Sequence, residues 1–109
     1  MIIPRVVELA EFRPDKMGKT TIASGQTLFV GLNCFEEGQE HAAHTHAGQD
    51  KLYFVLQGNA VVRVGEHEES LTSGGAAFAR SGEVHSIRNP GPGQLVVMAI
   101  LAPPPQSNR

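Results

Sequence analysis

The stretch HAAHTHAGQDKLYFVLQG, His41 to Gly58, decides how this chain is read. Its second half, KLYFVLQG, is rich in aromatic and branched residues and is closed by a glycine, the pattern of a strand. Its first half carries three histidines within six positions. In an extended chain, side chains two residues apart project to the same side, so His44 and His46 can face one cation together. Between the two halves stands Lys51, a cation where a carboxylate would help to hold a metal.

Outward from this stretch the same strand grammar continues. TLFVGLNCF (27–35) is apolar at both parities, so both of its faces are expected to be buried. NAVVRVG (59–65) reads as a strand joined to the preceding one by a tight hairpin at Gly58 and Asn59. Short strands are expected at 76–79 and around His85, and a long one at QLVVMAILA (94–102), with GG, SG and PGPG breaks between them. EEGQE (36–40) and EHEES (66–70) read as polar turns. PRVVELAEF (4–12) is the nearest approach to a helix and allows one or two turns. Twelve glycines and seven prolines in 109 residues fit many short strands with many turns. The expectation is an all-β sandwich or barrel forming a single domain over 1–109. A barrel interior accounts for one buried face of each apolar strand, and sheet stacking or a subunit interface for the other.

Composition excludes several function classes. The net charge is -2, and the nine Lys and Arg residues are scattered rather than gathered into a nucleic-acid-binding patch. No apolar run reaches the roughly 18 residues of a membrane span. The first residues lack a basic segment followed by an apolar one, so no signal peptide is expected. The single Cys34 fits a reducing compartment, and in its apolar strand it reads as a small buried hydrophobe. Together these point to a cytoplasmic protein that binds neither nucleic acid nor membrane.

His85 strengthens the metal reading. It follows His46 by 39 residues, in a second short strand after Gly82. Three imidazoles can hold a first-row divalent ion (Fe, Mn, Ni or Zn) with positions left open for water or substrate. His41 and His67 lie in polar stretches and are expected to be solvated. Asn89 is expected to fix a turn through its side chain.

The segment from Gly38 to Gly58 resembles the first motif of the cupin superfamily: glycine, five residues, His-x-His, three or four residues, Glu, six residues, glycine. Gly38, His44, His46 and Gly58 match. The segment 74–89 resembles the second motif: glycine, five residues, Pro-x-Gly, two residues, His, three residues, Asn. Gly74, Gly82, His85 and Asn89 match, and the 15-residue spacer 59–73 has the length found in small bacterial members. The resemblance implies a jelly-roll barrel of two packed antiparallel sheets with six to eight strands. It also implies a pocket into which His44, His46 and His85 turn, and a homodimer. Fold alone selects no reaction.

Two positions depart from the pattern. Lys51 occupies the slot of the motif glutamate, which in the family is the fourth protein ligand, and Arg80 occupies that of the motif proline. An ammonium group has no lone pair for a metal. At about 5 Å and an effective dielectric constant of about 20 it repels a divalent ion by roughly 6–7 kcal/mol. Three readings of Lys51 follow. The site holds a metal on three histidines, with Gln49 as a possible fourth ligand. Alternatively the pocket is metal-free, and Lys51 with Arg80 holds an anion such as a carboxylate or sugar acid. In the third, Lys51 is structural and pairs with Asp50, Glu40 or Glu83.

The first reading makes the protein a metal-dependent enzyme on a small polar or carboxylate-bearing substrate. Dioxygenases and isomerases resemble this arrangement; Lys51 would be the catalytic acid or base, and Tyr53 would line the pocket. The second makes it a non-catalytic binding module for a small molecule.

Overall fold

The computed structural model describes residues 1–105. After a 3-10 turn at Val6–Leu9, nine strands follow: β1 (Gly18–Ser24), β2 (Phe29–Phe35), β3 (Glu40–His44), β4 (Asp50–Gln57), β5 (Ala60–Val64), β6 (His67–Leu71), β7 (Ala76–Ala79), β8 (His85–Arg88) and β9 (Leu95–Ala102). They form a five-stranded sheet in the order β1-β2-β9-β4-β7 and a four-stranded sheet in the order β3-β8-β5-β6. Every pairing is antiparallel. The two sheets pack face to face as the expected jelly-roll sandwich.

The strand count exceeds the expected six to eight because two segments pair that lack an apolar strand pattern. β1 has a polar, weakly alternating sequence, GKTTIAS, and pairs along its length with β2. β6 is the EHEES segment, expected to be a turn. Its exposed residues form an edge strand on β5, with Val64 opposite His67 across a two-residue connection. Charged residues are what an edge strand carries when nothing covers it, so the composition that suggested a turn is also that of a protected edge.

The connection at Gly58 and Asn59 is not a hairpin. β4 and β5 lie in different sheets, and the two residues carry the chain from one to the other. Gly58 has φ 91°, and a Cβ there would collide with the backbone oxygen of Gln94. Only glycine allows both the positive φ and the close approach. The hairpin rule failed because it reads loop length, and a two-residue loop also suffices to turn a corner between packed sheets.

Alternation sets two cores. Inward-facing Phe35, Tyr53, Val55, Val62, Ile87, Leu95 and Val97 fill the space between the sheets. Leu32, Cys34 and Val96 face outward from β2 and β9 and are still buried. Val6, Val7, Ala10 and Phe12 of the N-terminal segment pack over them. The second buried face of the central strands is thus covered, at this end, by the chain's own beginning. Burial there raises the Cys34 thiol pKa, so the cysteine is a packed, un-ionised side chain.

Candidate metal and ligand site

His44 ends β3 and lies directly opposite His85, the first residue of β8. His46 lies past the end of β3, so strand parity is not what brings it in. The loop after the strand folds its ring to 4.7 Å from that of His44, at a near-perpendicular 84°. The His44 and His85 rings are 4.2 Å apart. One ring nitrogen from each of the three lies within 4.8 Å of the others.

Hydrogen bonding fixes what these rings offer. His44 Nδ1 lies 2.6 Å from the Ala42 oxygen, and His85 Nδ1 lies 2.9 Å from the Glu83 oxygen. A carbonyl can only accept, so each Nδ1 carries the proton and each Nε2 keeps its lone pair. The Nε2 atoms of His44, His46 and His85 are buried and have no hydrogen-bond partner among the described residues. Buried polar atoms are normally paired, and three unpartnered ring nitrogens close together, two of them fixed as acceptors, fit a divalent metal ion. Burial, followed by the positive charge of Lys51, holds His44 down to about pKa 4; burial likewise lowers His46 and His85. All three are neutral, as ligands must be, at physiological pH.

His41 was expected to be solvated and is not. The β3–β8 register shifts between His41 and His44, and this irregularity turns both side chains to the same side. The His41 ring lies over His44 at 4.1 Å, and its Nδ1 is buried without a hydrogen-bond partner among the described residues. Burial and the charges around it lower its pKa to about 3. His67 is exposed and bonded to Glu69, as a solvated residue should be.

Lys51 faces inward. It is 4% exposed, and its Nζ lies 4.8 Å from the Tyr53 ring centre. It makes no side-chain hydrogen bond or ion pair with any described residue. The structural pairing with Asp50, Glu40 or Glu83 is therefore not formed: Asp50 alternates outward and accepts from Ser81 N–H, and Glu83 accepts from Arg80 N–H. Burial, and then the nearby charge of Lys19, lowers the Lys51 pKa to about 8. Tyr53 lies beneath it, fully buried, 5.9 Å from the His85 ring, with its hydroxyl unpartnered and its pKa raised by burial.

A cavity of about 570 Å³ opens beside the cluster. His41, His46, Gln49 and Lys51 line it; His44, His85 and Tyr53 do not. Gln49 sits in the loop before β4 and donates through Nε2 to the Pro103 oxygen. Arg80 is absent from the lining. It lies just past the end of β7, is exposed, and so does not join Lys51 around a ligand in this cavity. The second cation at the cavity is instead Lys19 of β1. Sequence patterning does not reveal it, because β1 itself has no strong strand signal.

Comparison with known proteins agrees with this architecture. Residues 31–101 match the family model described as the cupin domain. The oxalate-binding protein of Thermotoga maritima is 31% identical over 85 residues, spanning 78% of this chain and 69% of that protein. The tetracenomycin polyketide synthase protein TcmJ of Streptomyces glaucescens is 33% identical over 96 residues, 85% of this chain and 60% of its own length. The crystal structure of TT1209 from Thermus thermophilus superposes with a TM-score of 0.91 at 37% identity, covering 96% of this chain and 100% of that one. With the family match spanning more than half its length, both cupin motifs in order and the jelly-roll sandwich around them, the chain belongs to the cupin family.

Proposed function

We propose that this protein binds one divalent transition metal through His44, His46 and His85 and presents it to a small carboxylate-bearing ligand in the adjoining cavity. The observation that carries this reading is the convergence of three buried, unpartnered Nε2 atoms. Such an ion, when bound, polarises a substrate oxygen and leaves coordination positions open. The chain's own groups supply the rest. Lys51 offers a desolvated ammonium at the edge of the site, able to hold a carboxylate or, with its lowered pKa, to move a proton. Gln49 has its amide oxygen available as a neutral further donor. The similarity to an oxalate-binding protein supports a carboxylate as the ligand. Within this reading, dioxygenation or isomerisation of a small acid are the reaction classes the donor set suits.

A second reading has its own observation. Lys51 is buried without a counter-ion, which suits an anion held with no metal at all. Metal analysis of protein purified without chelator or nickel resin separates the two. Near-stoichiometric metal that is lost in His44→Ala supports the first; less than about a tenth of an equivalent in the unaltered protein rejects it.

A further inference from the structure

The cavity lining combines cationic and apolar side chains. Lys19 and Lys51 line it, no Asp or Glu does, and neither lysine has an ion-pair partner among the described residues. The chain as a whole carries a net negative charge, so this local positive pair is not a reflection of composition. Phe29, Leu101, Pro103 and Pro104 line the same cavity with apolar carbon, Leu101 directly beside Lys51 in the strand register and Phe29 beside Leu101. Its volume of about 570 Å³ lies within the range of drug-sized ligand pockets and far exceeds what a bare dicarboxylate of a few atoms fills.

From this lining we infer that the cavity selects an amphipathic acid: a ligand with one anionic head on Lys51 and Lys19 and an apolar, ring-sized body against Phe29, Leu101, Pro103 and Pro104. This rests on the reading of the cavity as the ligand site and names the substrate class for it. A ligand with charge at both ends would leave one charge against apolar carbon, which is unfavourable. A neutral ring would fill the body but leave the buried Lys51 unpaired. The amphipathic acid alone satisfies both kinds of lining. The cavity meets the histidine cluster at His46 and Lys51, so the anionic head lies at the metal end and the body lies against the apolar lining residues.

The test is calorimetric titration of the full chain, dialysed against chelator, with three probes: phenylacetate, oxalate and 2-phenylethanol. Phenylacetate is expected to bind at least about tenfold more tightly than either of the others. Lys51→Met should weaken phenylacetate by about tenfold and leave 2-phenylethanol unchanged. Lys19→Met, at an exposed position that folding does not need, should weaken phenylacetate severalfold. Phe29→Leu should weaken both aromatic probes and leave oxalate unchanged. Oxalate binding as tightly as phenylacetate overturns the inference, as does an equal loss of both aromatic probes in Lys51→Met. Metal content, measured on the same preparations before dialysis, is a separate readout. Absent metal with the probe pattern intact overturns the metal reading alone, and bound metal without the pattern overturns this inference alone.

Discussion

Asn89 and the histidine cluster are both buried polar groups, at opposite ends of the space between the sheets, and they are satisfied in opposite ways. Asn89 is 1% exposed and has every side-chain bond it can use in place. Its Nδ2 donates to the Phe35 and Gly93 oxygens, and its Oδ1 accepts from Gly91 N–H. It thereby ties β2 and β8 to the turn before β9, the turn-fixing role its position suggested. At the other end His41, His44, His46, His85 and Tyr53 bury atoms with no hydrogen-bond partner among the described residues, and Lys51 is buried with no ion-pair partner among them. Each such group costs stability. A fold that completes one buried polar cluster and leaves another open fits the proposal that the second is a binding site.

Removing one group from each end puts this contrast to its hardest test. His44→Ala should weaken divalent metal by more than the roughly 10–100-fold that loss of a mere supporting partner causes. Equilibrium dialysis against Co²⁺ or Zn²⁺ measures this, and unchanged affinity would show that the orphaned nitrogens serve another purpose. In the same assay Lys51→Glu should tighten the metal, because a ligand replaces a repelling charge. Asn89→Ala, by contrast, should leave metal affinity intact and cost about 3 kcal/mol, because it strips partners from the buried Phe35 carbonyl and from the part-buried Gly93 carbonyl and Gly91 N–H. Urea unfolding reads that loss.

Lys51→Met approaches the open end from the other direction. Burial lowers the lysine from 10.5 to about 8. A depressed lysine binds fewer protons folded than unfolded between those values. Its cost is therefore full below about pH 8 and fades as pH rises toward 10.5. At neutral pH the substitution should stabilise the metal-free protein by about 1–3 kcal/mol, a gain that shrinks toward pH 10. Destabilisation at pH 7 would mean that Lys51 has a structural partner.

A further effect, of similar size but confined to low pH, is on the acid side. His41 and His44 are lowered from 6.5 to about 3 and about 4. Each is neutral when folded and protonated when unfolded between those values, so stability is complete above pH 6.5 and falls as pH drops below it. Each contributes a slope of at most about 1.4 kcal/mol per pH unit. His41→Phe should flatten the loss between about pH 6 and 4 in denaturation curves of metal-free protein.

Much of the fold was legible because it rests on local rules. The apolar runs of β2, β4, β5 and β9, the glycine-rich breaks and the two histidine motifs are patterns over a few residues, and six strands lie where they predict. β1 and β6 escaped because their strand character comes from the neighbour they pair with, not from apolar periodicity. Within the site, His44, His46 and His85 were legible as donors and Lys51 as the residue in the ligand's place. Three features were not. His41 joins the cluster only through a register shift that parity cannot foresee. Arg80 lies just past the end of β7 and is exposed. Lys19 enters from a strand that pairs at the far edge of the sheet, 32 residues before Lys51 in sequence.

The dominance of strands, the imidazoles able to act as ligands, and the lysine standing where a carboxylate was expected all follow from the residues alone. Side-chain chemistry and alternation along one strand are local properties, carried by the chain whether or not it has folded. That Lys51 points inward with no ion-pair partner among the described residues, that the second cation is Lys19 and not Arg80, and that the cavity lining joins cations to apolar side chains are consequences of the folded arrangement. They depend on which strands lie side by side and in what register, and register is set by the packing of the whole sandwich.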